Sequence, residues 1–421
     1  MMRRSRHEGE FAVEPDVFTW GSVMRAWAEC GCSDAGEQAQ RILDKFEQLY
    51  HSGNSRIRPN VVCYTTVMQA WARGDASPEV TIQNVNELLT RLEQAYSESG
   101  NDFLRPNDVT YITVMDAYNR KYPENAGSLC QAVVDHMLQL HEKGFGFRKP
   151  ARIVFNQLIN AWSKSPEENA AEHAEQVFQQ MQSQSHQDPE DDDIVRPDEI
   201  SLCGVLKAWA NNAANGGALR AQQIMEYTTN ELTTQDRGFD HTIVSWNVLI
   251  KAWGRSREHD SVQRAEKILS DLEENYSSRR SKVRPDLTTY SSVINCCAYY
   301  SGPSKAKDAA FQVAWRTFNK LKQANDLVAN NIVYGTLFKA IGKLCRPDTT
   351  KDTIIRDVFG ECCSAGQVCS FVLNQLRNAS RKKLFRELVL KPCALKDQDA
   401  SNIDKILKSM PRSWGNNVAY N

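Results

Sequence analysis

Apolar residues recur along this chain at helical spacing, and the same group of positions returns eight times. The first large residue of each group serves as an anchor: Trp20, Tyr64, Tyr111, Phe155, Leu202, Trp246, Tyr290 and Tyr334. The steps between anchors are 44, 47, 44, 47, 44, 44 and 44 residues. Further apolar residues follow three, four and seven positions later, as in Val67, Met68 and Trp71 or Leu249, Ile250 and Trp253. That spacing marks one face of an α-helix. The sixth position is Ala in seven copies and Cys296 in the other, and a small side chain there lets a neighbouring helix come close. A second helical pattern begins about nineteen residues after the anchor, for example Ala174, Val177, Phe178 and Met181. Pro followed by Asp or Asn opens several units, as in Pro59-Asn60, Pro106-Asn107, Pro197-Asp198 and Pro285-Asp286. Proline ends the preceding helix and Asp or Asn caps the next.

A regular period of this length predicts stacked two-helix units, each packed only on its neighbours. The expected fold is all-α: a right-handed α-solenoid of about eight helix-turn-helix repeats with a helical C-terminal cap. Residues 1–14 form a basic stub expected to be disordered, 15–345 the repeats, and 346–421 the cap, where the anchors are lost. The polar connectors are long. The acidic run Glu190, Asp191, Asp192 and Asp193 lies in one of them beside Pro189, as a solvated loop rather than a metal site.

Composition narrows the function. The chain has 421 residues, is 41% hydrophobic and 24% charged, and its net charge is −1. No apolar stretch approaches the roughly 18 residues of a membrane span, so no membrane partner is expected. The near-zero charge gives no global sign of a polyanion partner, so any such reading rests on where the charges sit. The twelve cysteines include no Cys-x-x-Cys pair, and several, such as Cys203 and Cys296, replace core residues, which suits a reducing compartment. A zinc deaminase would need His-x-Glu and Pro-Cys-x-x-Cys, and neither is present. Cys362, Cys363 and Cys369 make a poor zinc set. There is no nucleotide-binding glycine loop, and the eight histidines share no phase. No enzyme activity, catalytic residue, metal or cofactor is expected.

Runs such as Val61-Val62-Cys63-Tyr64-Thr65-Thr66-Val67-Met68 and Ile243-Val244-Ser245-Trp246-Asn247-Val248-Leu249-Ile250, with the Pro-Asp or Pro-Asn boundary, resemble the first helix of pentatricopeptide repeat proteins. The likeness covers about residues 15–345, though the units are longer than the family's usual repeat. A tetratricopeptide scaffold, which would bind proteins, wants Gly four residues after the first aromatic. Here that position is always bulky and apolar.

The resemblance implies sequence-selective binding of single-stranded RNA in the solenoid groove, read by two or three side chains per repeat. It implies a monomer acting in organellar RNA metabolism, that is stability, processing or translation, in a mitochondrion or plastid. The residue after each anchor and the last residue of each repeat carry over as base readers. The pairs Asn156 with Asp198 and Asn247 with Asp286 resemble the family's uridine combination. Thr65 with Asn107 and Ser291 with Asn330 resemble its adenine combination. Two residues before the anchor, Val62, Val109, Ile153, Ile200, Val244 and Ile332 carry over as side chains that sandwich bases. Nine residues after the anchor, Arg73, Arg120, Lys164, Arg255 and Lys343 form a basic row, a phase that in the family faces backbone phosphate. The same cations suit a helix C-terminus. Two other roles stay open: a protein-binding scaffold, with protein partners on the groove or connectors, and a specificity subunit that recruits an enzyme in trans.

Overall fold

The computed structural model describes residues 16–52, 58–144, 146–187, 195–212, 216–230, 241–256, 258–324, 326–346 and 349–418. The basic stub and the acidic run at 190–193 lie outside the described residues. Among the described residues there is no strand. No described helix is long and apolar enough to cross a membrane.

Helices alternate in two layers. The first helices of the eight repeats are α1 (Val17–Cys30), α3 (Val61–Arg73), α5 (Asp108–Lys121), α7 (Arg152–Lys164), α9 (Glu199–Asn211), α11 (Ile243–Arg255), α13 (Leu287–Tyr299) and α15 (Asn331–Leu344). The second helices are α2 (Ala35–His51), α4 (Pro78–Ser99), α6 (Ala126–Glu142), α8 (Ala170–Gln187), α10 (Gly217–Asn230), α12 (Ser261–Ser277), α14 (Ser304–Gln323) and α16 (Thr349–Ser364). Beyond them come α17 (Ser370–Ala379), α18 (Lys382–Phe385), a π-helical turn (Arg386–Leu390) and α19 (Ile403–Ser409). The eighth second helix thus lies past residue 345, inside the stretch expected to be cap.

Contacts divide the chain into two compact units, Met1–Ala208 and Trp209–Asn421. Within each, first helices stack closely on first helices: α1 on α3 and α3 on α5 in one unit, α11 on α13 and α13 on α15 in the other. The small residue six positions past the anchor explains this approach. Ala70, Ala117, Ala161, Ala252 and Ala340 are fully buried. The anchor helix starts at a capped turn. Asp16, Asn60, Asn107, Asp286 and Asn330 each accept a hydrogen bond from the backbone N–H three residues on, an arrangement worth about 1 kcal/mol each.

Two devices fix neighbouring repeats. The first is a tryptophan laid on a glycine. Trp162 covers Gly127 at the start of α6, and Trp71 covers Gly36 at the start of α2. Trp162 also donates to Gln131 Oε1 at 3.3 Å. A Cβ on Gly127 would lie 2.2 Å from the Trp162 ring. Gly127→Ala is therefore expected to destabilise by about 1–3 kcal/mol through overpacking. In α16, Gly360 has nothing within 4 Å of a built Cβ. Gly360→Ala should stabilise by up to about 1 kcal/mol. Thermal melts of the two variants should move in opposite directions.

The second device is a glutamate shared across repeats. Tyr64 donates to Glu47, which also pairs with Arg91. Tyr290 donates to Glu273 at 2.9 Å, and Lys320 reaches the same carboxylate at 2.6 Å. Tyr111 donates to Glu93 at 3.0 Å, but here the cation is His136, with Nε2 3.0 Å from Glu93. The hydrogen bond to Glu93 raises His136 above its ordinary value of 6.5, against partial burial and Lys143. A raised folded pKa stabilises fully below about 6.5, and the contribution fades as pH climbs through the folded value. Melting temperature should thus drop as pH rises from about 6.5 through the raised folded value, and His136→Lys should remove that part of the pH dependence.

Most cysteines fill the core as expected. Cys63, Cys130, Cys203, Cys296, Cys297, Cys362 and Cys393 are buried free thiols. Burial pushes Cys130, Cys203 and Cys296 up to about 12. Cys30 and Cys32, by contrast, are joined as a disulfide.

Candidate nucleic-acid interface

The residue two before the anchor sits in the first turn of each first helix, on the side away from the second-helix layer. In the first unit Phe18, Val62, Val109, Ile153 and Ile200 are exposed, and in the second Val244 and Ile332. Their exposure runs from 50% for Ile332 to 84% for Phe18. Packing against the preceding helix would have buried them. The neighbouring position does turn inward: Val154, Ser201, Ser245, Thr289 and Val333 are fully buried. The row is thus an apolar feature held out to solvent by the helix phase.

The cations nine after the anchor are exposed at the other end of the same helices. Arg73, Arg120, Lys164, Arg255 and Lys343 all occupy a last turn, where they also complement the helix dipole. Eleven residues separate the two rows, about three turns and 16 Å along the axis, so they share one stripe of the helix surface. Seven residues after the apolar position lies another stripe residue. It holds Arg25, Lys207, Lys251 and Lys339; the first three are exposed and Lys339 is half-buried. This second basic row was present in the sequence at the fifth position after the anchor. Gln69, Asp116, Asn160 and Asn295 interrupt it, and only the helix phase shows that it joins the first row.

The cations from successive helices converge. Burial lifts the Asp116 carboxyl above its ordinary value, against the pull of Arg120, Arg73 and Lys164, so cations from α5, α3 and α7 surround one carboxylate. Gln157 donates to Asp116 Oδ1 at 2.6 Å. In the second unit Arg255 Nη1 donates to Asn211 Oδ1 at 2.7 Å. Lys339 Nζ lies 3.6 Å and Lys343 Nζ 5.1 Å from the centre of the exposed Tyr299 ring. Hydrogen bonding and charge from Lys339, aided by Lys343 and Arg255, lower the Tyr299 phenol.

Charge is sorted between the layers of the first unit. The eight first helices carry eleven Lys and Arg against four acids, Glu29, Asp108, Asp116 and Glu199. The second helices of the first unit, α2, α4, α6 and α8, carry eleven Asp and Glu against three Lys and Arg, whereas α10, α12, α14 and α16 of the second unit carry nine against ten. Cations of the second layer find acids there: Arg91 with Asp44 at 3.0 Å, Arg316 with Glu266 at 2.8 Å, Lys322 with Glu361 at 2.6 Å. Among the described residues Arg73, Arg120 and Lys164 close no ion pair within 4 Å. A near-zero net charge therefore conceals a basic face on each unit.

The polar positions after the anchors lie lower, between adjacent first helices. Thr65 and Asn247 are each 6% exposed, while Asn156 and Ser291 are half-buried. The paired residues meet. Asn156 Nδ2 donates to Asp198 Oδ1 at 3.2 Å, and Asn247 Nδ2 donates to Asp286 Oδ1 at 3.2 Å. Ser201 also donates to Asn156 Oδ1. Thr65 and Asn107 connect through Thr110, whose hydroxyl lies 3.3 Å from Thr65 Oγ1 and donates to Asn107 Oδ1 at 3.2 Å. Ser291 instead donates to the Thr288 carbonyl at 3.1 Å, and Asn330 caps its own helix. Asn247 Oδ1 is buried without a hydrogen-bond partner among the described residues. Asn156 keeps a second N–H and a second oxygen lone pair uncommitted by these bonds.

Among the described residues no three His, Cys, Asp or Glu converge as a metal-binding set. A cleft of about 450 Å³ opens among α10, α11 and α12, lined by Trp246, Arg264, Asp271 and Arg280, and it holds none of the rows described here.

No protein-family model matches the chain, and no curated protein matches it by sequence. Solved structures do. The maize pentatricopeptide repeat protein PPR10 aligns over 92% of this chain and 45% of its own, with 17% identity and a TM-score of 0.55. The present chain thus spans less than half the length of that protein. A structure of PPR10 in complex with an 18-nt psaJ RNA element aligns over 94% of this chain and 74% of its own, at 13% identity and a TM-score of only 0.18. An alternating two-layer stack, tight between first helices, agrees with the first superposition: the chain has the α-solenoid fold of a pentatricopeptide repeat protein.

Proposed function

We propose that this chain binds single-stranded RNA along its first-helix face and acts by binding rather than by chemistry of its own. The observation that carries the reading is the shared stripe. Exposed aliphatic side chains at one end and unpaired cations at the other repeat on successive helices. A threadlike polyanion with flat apolar bases needs both. Contact with a base face is tolerant of sequence; aromatic stacking, an upper guide for these aliphatics, is worth about 1–3 kcal/mol per base. Phosphates need the cations.

Base selection belongs to the same proposal. Asn156 with Asp198 and Asn247 with Asp286 are hydrogen-bonded pairs at the foot of the stripe. The aspartate fixes the amide's orientation, which is what a reader of a Watson–Crick edge requires. Thr65 with Asn107, and Ser291 with Asn330, are the second pair of readers in this proposal. The role in organellar RNA stability, processing or translation, in a mitochondrion or plastid, follows from the family resemblance.

The test is a salt titration of binding to a fluorescein-labelled single-stranded RNA. The logarithm of affinity should fall with log salt at about −0.7 per phosphate neutralised. With five or more cations engaged the slope should be about −3.5 or steeper. A flat titration, or equal affinity for a double-stranded RNA of the same length, would refute the proposal.

A further inference from the structure

The repeating surface does not stop where the repeating sequence does. Helix α17 packs on α15 as one first helix packs on the next. The register can be read from a close backbone contact. A Cβ built on Gly254 would lie 3.3 Å from Cys296 Cα, and one on Gly342 would lie 3.2 Å from Ala379 Cα. Gly254 and Gly342 both stand eight residues past an anchor, and Cys296 stands six past the next. Ala379 therefore marks the sixth position of a ninth unit, and its anchor is Leu373, fully buried. The N-cap stands four before the anchor in the preceding units, as Asn330 does before Tyr334, and Cys369 is the N-cap of α17. The step from Tyr334 to Leu373 is 39 residues, which is why the period of 44 to 47 misses it.

This register gives α17 the parts of a binding unit. Two before the anchor stands Phe371, 39% exposed, the same phase as the apolar row. Its ring lies over the α15 backbone, where a Cβ on Gly335 would come within 2.2 Å of it. Directly after the anchor is Asn374, half-buried like Asn156. Arg377 donates to Asn374 Oδ1 at 3.0 Å and to the Ser401 carbonyl at 3.2 Å, just before Asn402, the N-cap of α19. The amide is thus tied to the start of the following helix, as Asn156 is tied to Asp198. Helix α17 ends at Ala379, so the position nine past the anchor, Lys382, opens α18 and does not belong to the α17 stripe.

We infer that α17 is a ninth nucleotide-binding unit, in which Phe371 contacts a base face and Asn374 its edge. The inference rests on the RNA-binding reading of the first-helix face. It lengthens that face by one nucleotide onto a segment whose sequence reads as a plain cap.

The experiment uses the full chain and a 20-residue oligouridylate carrying 4-thiouridine. Irradiation should crosslink RNA to the peptide containing Phe371. Phe371→Ser should weaken binding about fivefold or more. Far-UV circular dichroism checks the fold of the variant, and the crosslink on the wild type reads the contact without any substitution. Should Phe371→Ser bind as the wild type while Val244→Asp loses affinity, with no crosslink at Phe371, the ninth unit is refuted and the RNA reading stands. Should the wild type not bind the oligouridylate or a mixed-sequence single strand, both fall together.

Discussion

Replacing Arg73, Arg120, Lys164, Arg255 and Lys343 together by Ala should abolish most RNA affinity while leaving the fold intact. All five side chains are exposed at helix ends. Each removed cation subtracts about 0.7 from the salt slope, so the quintuple variant should lose about 3.5, with an affinity loss on the order of a thousandfold at 50 mM salt. The controls are second-layer cations. Arg41 and Arg316 are paired with Glu37 and Glu266, so their replacement by Ala removes charges already neutralised locally. Exposed pairs of this kind contribute about 0–1 kcal/mol to stability. Fluorescence anisotropy across a salt series, on both sets, decides the matter. Equal losses in the two sets would place the RNA on no particular face and sink the stripe.

Acidic substitutions in the apolar row should have the second largest effect. Val62→Asp, Ile153→Asp, Ile200→Asp and Val244→Asp put a carboxylate where a base face is proposed to lie. These positions are more than half exposed, so stability should change by no more than about 0.5 kcal/mol. Each single variant should bind RNA about tenfold more weakly, which corresponds to about 1.4 kcal/mol. A conventional core substitution behaves in the opposite way. Leu249→Ala, at a buried position, should cost about 2–5 kcal/mol of stability. Parallel melts and binding curves separate the two behaviours. Loss of stability without loss of binding in the Asp variants would show that the row is a packing feature.

Much of this architecture was legible in the sequence because it depends on local periodicity. The anchor, the residues three, four and seven later, and the small residue at six follow from helix geometry alone, and past the first repeat all of them bury except Tyr118 and Trp246, which are half-buried. Trp20 and Ala26, in the first repeat, have no preceding helix among the described residues, and they are half-buried and exposed respectively. The exposure of Val62 and Ile153 was not legible, since an aliphatic side chain in a helical first turn reads equally as core. It depends on which neighbour occupies that side of the layer, a tertiary fact. The hydrogen bonds of Asn156 to Asp198 and of Asn247 to Asp286 span 42 and 39 residues, so only stacking brings them together. The basic row at the fifth position hid behind substitutions such as Asp116. Helix α17 hid behind a changed period, because a shorter connector shifts the register of a repeat search without shifting the helix it delivers; the eighth second helix keeps the usual offset, fifteen residues after its anchor.

The sorting of charge between layers has a consequence for how the molecule behaves at a distance. A particle with almost no monopole exerts little long-range pull on a polyanion, yet the first unit carries a transverse dipole, basic on one side and acidic on the other. At separations comparable to the Debye length, about 8 Å at physiological ionic strength, orientation rather than attraction dominates. An incoming strand is turned towards the lysine-bearing side before it touches, and is repelled from the back. Near neutral pH the same protein should be retained on both heparin and a quaternary-amine resin, each gripping an opposite side.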